Sequence, residues 1–361
     1  MTAAALDERI LGAVAAWRAG EDLPDAAFDA LALALFAYQI GANDPYRRFA
    51  AAAGFSPQRM PAHWGRIPAV PSSAFKDATL ATFDPAQAEL TFRTSGTTAE
   101  RTGVHYMARA AIYDEVLCAG FERFMLPPGQ PAAFFNLVPD PAQNPHSSLG
   151  YMMRRAGERF GAGPPRFYLR GDRVDVEALA RDIAAATARG TPAMVAGTAF
   201  AFAALLEDLG GSTLSCAPGS RVMETGGFKG RTRAVGRADL YAGLARAFAV
   251  PECDVVAEYG MTELTSQYYD AAASRTAATR VKTGPPWLRC TVVDGDGREL
   301  PAGETGFLRH VDLANRSSVV AIVTEDRGYA VAGGFVLLGR DETAPLRGCS
   351  LDQEDLLVRR G

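Results

Sequence analysis

The apolar positions in the first part of the chain fall at helical spacing. "LDERILGAVAAWRAG" (6–20) and "DAAFDALALALFAYQIGA" (25–42) set alanine, leucine, isoleucine and phenylalanine three and four apart, and each closes near a glycine. "NDPYRRFAAAAGFSP" (43–57) continues the pattern, and the two prolines of "IPAVPSSAFKDATL" (67–80) end it. Beyond, short apolar runs stop at glycine and polar residues: "AAFFNLVP" (132–139), "TPAMVAGTAFAFAALLEDLGG" (191–211), "SRVMETGG" (220–227) and "CDVVAEYGMTE" (253–263). The second of these passes straight into a helix. Strand, turn and helix in alternation predict an α/β fold with mostly parallel sheets, whose sites gather at the carboxyl ends of the strands. From residue 282 the pattern is strand after strand: "CTVVDGDGREL" (290–300), read as a hairpin around Asp-Gly, then "GETGFLRHVDL" (303–313), "SVVAIVT" (318–324) and "GGFVLLG" (333–339). The expected organisation is a helical start and α/β core over 1–281, a smaller β-rich subdomain over 282–338, and a hinge-like motif with a short tail over 339–361.

Composition narrows the possibilities. A chain of 361 residues with 48% hydrophobic and 22% charged residues has ordinary globular composition and length for a large core. Its net charge of −4 leaves no basic surplus for nucleic-acid phosphates, so no nucleic-acid partner is expected. "MTAAALDERI" lacks the basic start and apolar core of a secretion signal. The most apolar stretch, "ALALALFAYQIGA" (30–42), is too short to span a bilayer and is expected to be a buried helix, with no membrane insertion. Cys118, Cys216, Cys253, Cys290 and Cys349 form no CxxC pair, so neither a disulfide framework nor a zinc site is predicted, and a reducing cytoplasm is the expected location.

The candidate chemistry begins at "TFRTSGTTAERTG" (91–103). Thr94, Ser95, Gly96, Thr97 and Thr98 have little to bury, and their small side chains leave backbone N–H groups free to turn toward an anion. This is not a Walker A loop, which needs a lysine after its last glycine. In "AEYGMTE" (257–263), Thr262 and Glu263 lie just past a strand end, where a hydroxyl suits a phosphate oxygen and a carboxylate suits Mg²⁺. "GETG" (303–306) follows the hairpin. "VTEDRG" (323–328) sets Asp326 at another strand end, suited to ribose hydroxyls, and "LGRDETAPLRG" (338–348) supplies Arg340 and Asp341.

The ordered series "TSGTT", "YGMTE", "GETG", "TED" and "GRDE" resembles the core motifs of the adenylate-forming superfamily, which makes acyl-AMP from a carboxylic acid and ATP. "LFAYQ", "VPSSAFK", "HSSLGYM", "GTAF", "ETGGFKG", "VDLAN" and "RGCSL" are similar to the LuxE-type acyl-protein synthetases, and phenylacetate-CoA ligase is a more distant likeness. The resemblance implies an N-terminal-domain fold without the usual mobile C-terminal domain. It also implies ATP and Mg²⁺ as cofactors, a fatty or aryl acid as substrate, and an acyl reductase or acyl carrier protein as partner. It assigns Thr94, Ser95, Gly96, Thr97 and Thr98 to the ATP phosphates, and Gly226, Gly227, Tyr259 and Gly260 to the adenine side. Thr262 falls to the α-phosphate, Glu263 to Mg²⁺, and Asp326 and Arg340 to the ribose; His146, Gly197 and Phe228 are the acyl-side candidates.

Two departures stand out. The loop continues Ala99-Glu100-Arg101 where the superfamily has glycine and then lysine, and the chain runs only a little past "GRDE". The cation that offsets developing negative charge is therefore unassigned, with Lys229 and Arg101 as candidates. In the LuxE type a cysteine near the C-terminus accepts the acyl group, and Cys349 in "RGCSLDQEDLL" matches it. The segment Ser350-Leu351-Asp352-Gln353 reads as a capping box. Cys349 would then precede a helix N-terminus, which with Arg347 favours the thiolate. The bland reading makes Cys349 a small hydrophobe docking a helix. His146 either positions the acyl carboxylate or is an ordinary loop histidine. Lys76 belongs at the surface or near the adenylate, Glu224 supports a turn, and His63, His105 and His310 lack metal-ligand spacing.

Overall fold

The computed structural model describes residues 1–94, 102–127, 129–226 and 236–340. The chain divides into two compact units that interleave in sequence. One comprises Met1–Ala119, Met261–Gln267 and Gly284–Gly361, the other Gly120–Gly260 and Tyr268–Thr283.

The first unit opens with the three expected helices, Ala3–Arg18, Asp25–Ala42 and Asp44–Ala52. Thr2 and Asn43 cap the first and third by accepting backbone N–H groups that no helical carbonyl reaches. The apolar run at 30–42 proves to be part of an 18-residue helix, because Asp25–Leu31 keep the helical spacing of apolar positions. By length and composition this is the one helix among the described residues apolar enough to cross a membrane. Here its Phe28, Leu31, Leu35, Phe36 and Ile40 are buried in protein.

The β-rich part is an antiparallel meander of Leu288–Val293, Thr305–Asp312, Ala321–Val331 and Gly334–Arg340, with Val70–Pro71 parallel to the third strand. The Asp-Gly turn exists, with Asp294 Oδ1 accepting from the Asp296 and Arg298 amides at 2.9 Å each. The hairpin it closes is short, a bridge between Val293 and Glu299 with backbone bonds from Asp294 to Arg298 at 2.9 Å and from Leu300 to Val292 at 2.8 Å, and the longer partner of that strand is Thr305–Asp312. A separate hairpin pairs Leu90–Arg93 with Val104–Met107, just before and just after the hydroxyl-rich stretch in the sequence.

In the second unit the strands lie in the order Lys282–Thr283, Tyr268–Asp270, Val255–Tyr259, Arg221–Thr225, Ala193–Thr198, Ala133–Leu137 and Arg166–Phe167. The last five are parallel, which gives their nearly continuous apolar runs a sheet covered by helices. Helices Ser148–Phe160, Val176–Ala188 and Ala199–Leu209 start on Ser147, Asp175 and Thr198, each accepting a backbone N–H. Leu179, Ile183, Phe202, Leu244 and Phe248 pack on Val195, Val222 and Val255 to form the core.

Candidate active site

After the strand Val255–Tyr259 the chain leaves the second unit, and Met261–Gln267 belongs to the first. Leu264 donates to the Met261 carbonyl at 3.1 Å, which closes a turn around Thr262 and Glu263. Such a turn has few backbone partners of its own, and a buried carbonyl or N–H left without one costs about 1–3 kcal/mol. Buried side chains from distant parts of the sequence supply the partners. His105 Nδ1 lies 2.8 Å from the Thr262 carbonyl, and Asn315 Nδ2 donates to the Glu263 carbonyl at 2.9 Å. Asp312 Oδ2 accepts from the amides of Thr265 and Ser266 at 2.9 and 2.8 Å. Its Oδ1 accepts from Ser266 Oγ at 2.8 Å and from the Ala314 amide at 3.0 Å. Burial raises the Asp312 carboxyl to about 6 against the pull of these donors.

The holding residues are themselves held. Gln39 donates to the Asn315 carbonyl at 2.8 Å and accepts from the Val320 amide at 2.8 Å. Asp7 and Arg316 form a buried ion pair with N···O distances of 2.6 and 3.2 Å. "LFAYQ" and "VDLAN" thus meet in one scaffold beneath the turn.

His105 is 1% exposed, and burial pulls its pKa down to about 4, with the Thr262 carbonyl and the Asn315 side chain acting the other way. The ring is neutral at ordinary pH. Because a carbonyl only accepts, Nδ1 carries the proton, and Nε2 makes no hydrogen bond among the described residues.

Two further predicted groups fall in this unit. Thr94 and Gly103 close the stem of the hydroxyl-rich loop: the Thr94 amide donates to the Gly103 carbonyl at 2.9 Å, and the Gly103 amide to Thr94 Oγ1 at 2.8 Å. Asp326 lies opposite Arg340 across two strands, with Asp326 Oδ1 3.6 Å from Nε and Glu325 Oε2 3.5 Å from Nη1. A register shift between Arg327 and Gly328 follows Asp326 directly. "GETG" has a packing reason: any Cβ on Gly306 would sit on the Val293 carbonyl.

The second unit holds Gly226, Tyr259, Gly260, Gly197 and His146. Gly226, just past its strand, has φ +79°, the left-handed region that favours glycine. Tyr259 ends its strand 6.0 Å from the Tyr268 ring, at 35°. At Gly197 a Cβ would lie 3.1 Å from both Leu137 and Phe202, so the glycine permits close packing inside the sheet. His146 is half-buried and precedes Ser147, the N-cap whose Oγ accepts from the Gly150 amide. Glu224 is buried and accepts from the Tyr241 hydroxyl at 3.0 Å.

A charged network that no sequence motif marks underlies this sheet. Lys282 donates to the Ala257 carbonyl at 2.7 Å and pairs with Asp270 at 2.9 Å, and Arg280 reaches the Val255 carbonyl at 2.6 Å and Asp270 at 2.9 Å. Burial opposes ionisation of Asp270, but these cations outweigh it and hold its pKa low. Glu258, bonded to the Thr225 hydroxyl, is pushed up to about 7 by burial. Isolated charges in apolar strands, as in "YYD" and "RVK", were the available signal.

Ser95, Gly96, Thr97, Thr98 and Arg101, with Gly227, Phe228, Lys229 and Cys349, lie outside the described residues. Lys76 is exposed. Burial raises the Cys216 thiol to about 12 and moves Cys290 in the same direction. Among the described residues no three His, Cys, Asp or Glu side chains converge as a metal cage. A Mg²⁺ shared with substrate phosphates asks for one or two protein carboxylates, a requirement Glu263 fits.

The fold is that of the large domain of adenylate-forming enzymes. In a crystal structure of 2-hydroxyisobutyryl-CoA ligase in the postadenylation state, the match covers 88% of this chain and 67% of that one, at 14% identity and a TM-score of 0.62. Matches also include the ATP- and magnesium-bound O-succinylbenzoate coenzyme A synthetase (MenE) from Bacillus subtilis, at 18% identity and TM-score 0.49 over 72% of this chain and 51% of that one. ATP-bound MatB from Rhodopseudomonas palustris matches at 18% identity and TM-score 0.49, over 73% and 50%. The chain spans about half the length of these last two structures. Comparison with curated proteins returns no match. Within the adenylate-forming class the chain belongs to the family described as "Acyl-protein synthetase, LuxE", which matches residues 1–357.

Proposed function

We propose that this protein activates a carboxylic acid with ATP and passes the acyl group to a protein thiol. The observation that carries the reading is the turn bearing Thr262 and Glu263, whose carbonyls are held by His105 and Asn315 and whose following residues are held by Asp312. Rigid support is what a group needs when it must meet charge as that charge develops. In the first step a carboxylate oxygen of the acid attacks the α-phosphorus. The bond to the β-phosphate oxygen breaks, and pyrophosphate leaves with its electron pair. The Thr262 hydroxyl donates to an α-phosphate oxygen, while the loop that starts at Thr94 holds the outer phosphates. Asp326 and Arg340 bind the ribose hydroxyls, and Tyr259 lies along the adenine with Gly226 and Gly227. Glu263 would hold Mg²⁺, which would neutralise phosphate charge when bound. Lys229 and Arg101 are the cations assigned to the leaving group, and His146, Gly197 and Phe228 the residues assigned to the acyl side.

In the second step a thiolate sulfur attacks the acyl carbon and AMP departs, leaving a thioester. Cys349 is the proposed acceptor, with an acyl reductase or a carrier protein as the next recipient. Intact-protein mass after incubation with ATP, Mg²⁺ and a series of fatty and aryl acids tests this. A hydroxylamine-labile acyl adduct on wild type that is missing from Cys349→Ala is the expected result. Acid-dependent pyrophosphate release without an adduct, together with consumption of free CoA, would make the protein a CoA ligase instead.

A further inference from the structure

His105 falls outside every motif that carried the functional reading, yet it links two of them. Its strand, Val104–Met107, begins beside Gly103, which clasps Thr94 through two hydrogen bonds at the stem of the hydroxyl-rich loop. Two residues later the His105 imidazole reaches the Thr262 carbonyl at 2.8 Å. The ring lies edge-on to Phe75, 5.7 Å between centroids, and Phe75 also lies against Gly103, where an added Cβ would meet it at 3.3 Å. Loop stem, imidazole and turn therefore form one packed unit within the first part of the protein.

We propose that His105 is the positioning residue that sets the Thr262 hydroxyl and the Glu263 carboxylate in register with the Thr94–Gly103 clasp. The inference rests on the adenylation reading. His105 itself is 1% exposed, so its role is that of a support. It acts through the peptide it anchors: fixing the Thr262 carbonyl fixes the plane from which the Thr262 side chain and the following residue project. An aliphatic residue fills the space but leaves the carbonyl without a donor, and the turn can then rotate. Asparagine is the informative replacement, since its amide nitrogen occupies nearly the position of imidazole Nδ1.

The test has two arms. In acid-dependent pyrophosphate release, with octanoate, dodecanoate, benzoate and phenylacetate as probes, His105→Leu should lower kcat by a factor of 10 to 100 and leave the KM for the acid within threefold. His105→Asn should recover most of that loss. A His105→Leu variant that keeps wild-type kcat, or a folded His105→Asn variant as impaired as His105→Leu, overturns the proposal. The second arm is nitrogen-detected NMR of the histidine rings in full-length protein. A neutral Nδ1–H tautomer at His105 supports the clamp, and an Nε2–H tautomer overturns it whatever the turnover. Wild type that releases no pyrophosphate with any acid would overturn the adenylation reading instead, and the NMR arm would still decide the contact.

Discussion

Asp312 shows how much rests on single buried side chains here. It accepts from three backbone amides and the Ser266 hydroxyl, all within 3.0 Å. Asp312→Ala would strand those donors in the protein interior, and the cost is about 3 kcal/mol or more. Chemical denaturation should show that loss. Asp312→Asn, which keeps one acceptor oxygen, should lose less. Arg340 makes the opposite case. Its side chain is 44% exposed and its pairs with Glu325 and Asp326 are long, so Arg340→Ala should leave the denaturation midpoint nearly unchanged. If it holds the ribose, the KM for ATP should rise about tenfold, in line with the loss of one charge-assisted contact. "VDLAN" was visible in the sequence as a family feature, but its job was not. Asp312 lies 46 residues from Ser266 and Asn315 lies 52 from Glu263, and periodicity carries no information across such distances.

Among the elements, those fixed by local physics were the legible ones. The first three helices and the parallel strands of the second unit announce themselves through spacing, caps and apolar runs. The Asp-Gly turn was equally clear, and the hairpin it closes is short: the bridge at Val293 and Glu299 is flanked by backbone bonds from Asp294 to Arg298 and from Leu300 to Val292. The neighbouring strand Thr305–Asp312 carries a motif glycine. With a Cβ, residue 306 would press on the Val293 carbonyl and on Leu300, so Gly306→Ala should destabilise by about 1–3 kcal/mol. A thermal melt of that variant checks it. Wild-type stability there would mean that the strand shifts at no cost.

At the scale of the molecule, buried titratable groups of opposite habit shape the response to pH. His310 is held down to about 3 and His105 to about 4, chiefly by burial, against 6.5 for an ordinary histidine. Their contribution is complete above pH 6.5 and is lost as pH falls toward 4, because the unfolded chain takes up the protons first. Glu258 and Asp312 have raised values of about 7 and about 6, so their contribution is present at low pH and lost as pH rises through those values. His310→Gln should therefore lose less stability than wild type between pH 6.5 and 4. Glu258→Gln should lose less between pH 5 and 8. Urea midpoints across that range measure both, and parallel curves for wild type and variants would contradict the assignment.

The interleaving of the two units could not be read from the pattern of elements, because the boundary passes through a seven-residue turn, Met261–Gln267, set between strands of the other unit. That turn carries Thr262 and Glu263. Pyrophosphate release by full-length wild type with ATP and Mg²⁺, measured with and without each of a broad series of carboxylic acids, tests the account most directly. It predicts release that depends on the acid and falls at least tenfold in Thr262→Val. Release that ignores the acid, or none with any acid in a protein that still binds ATP, would contradict it.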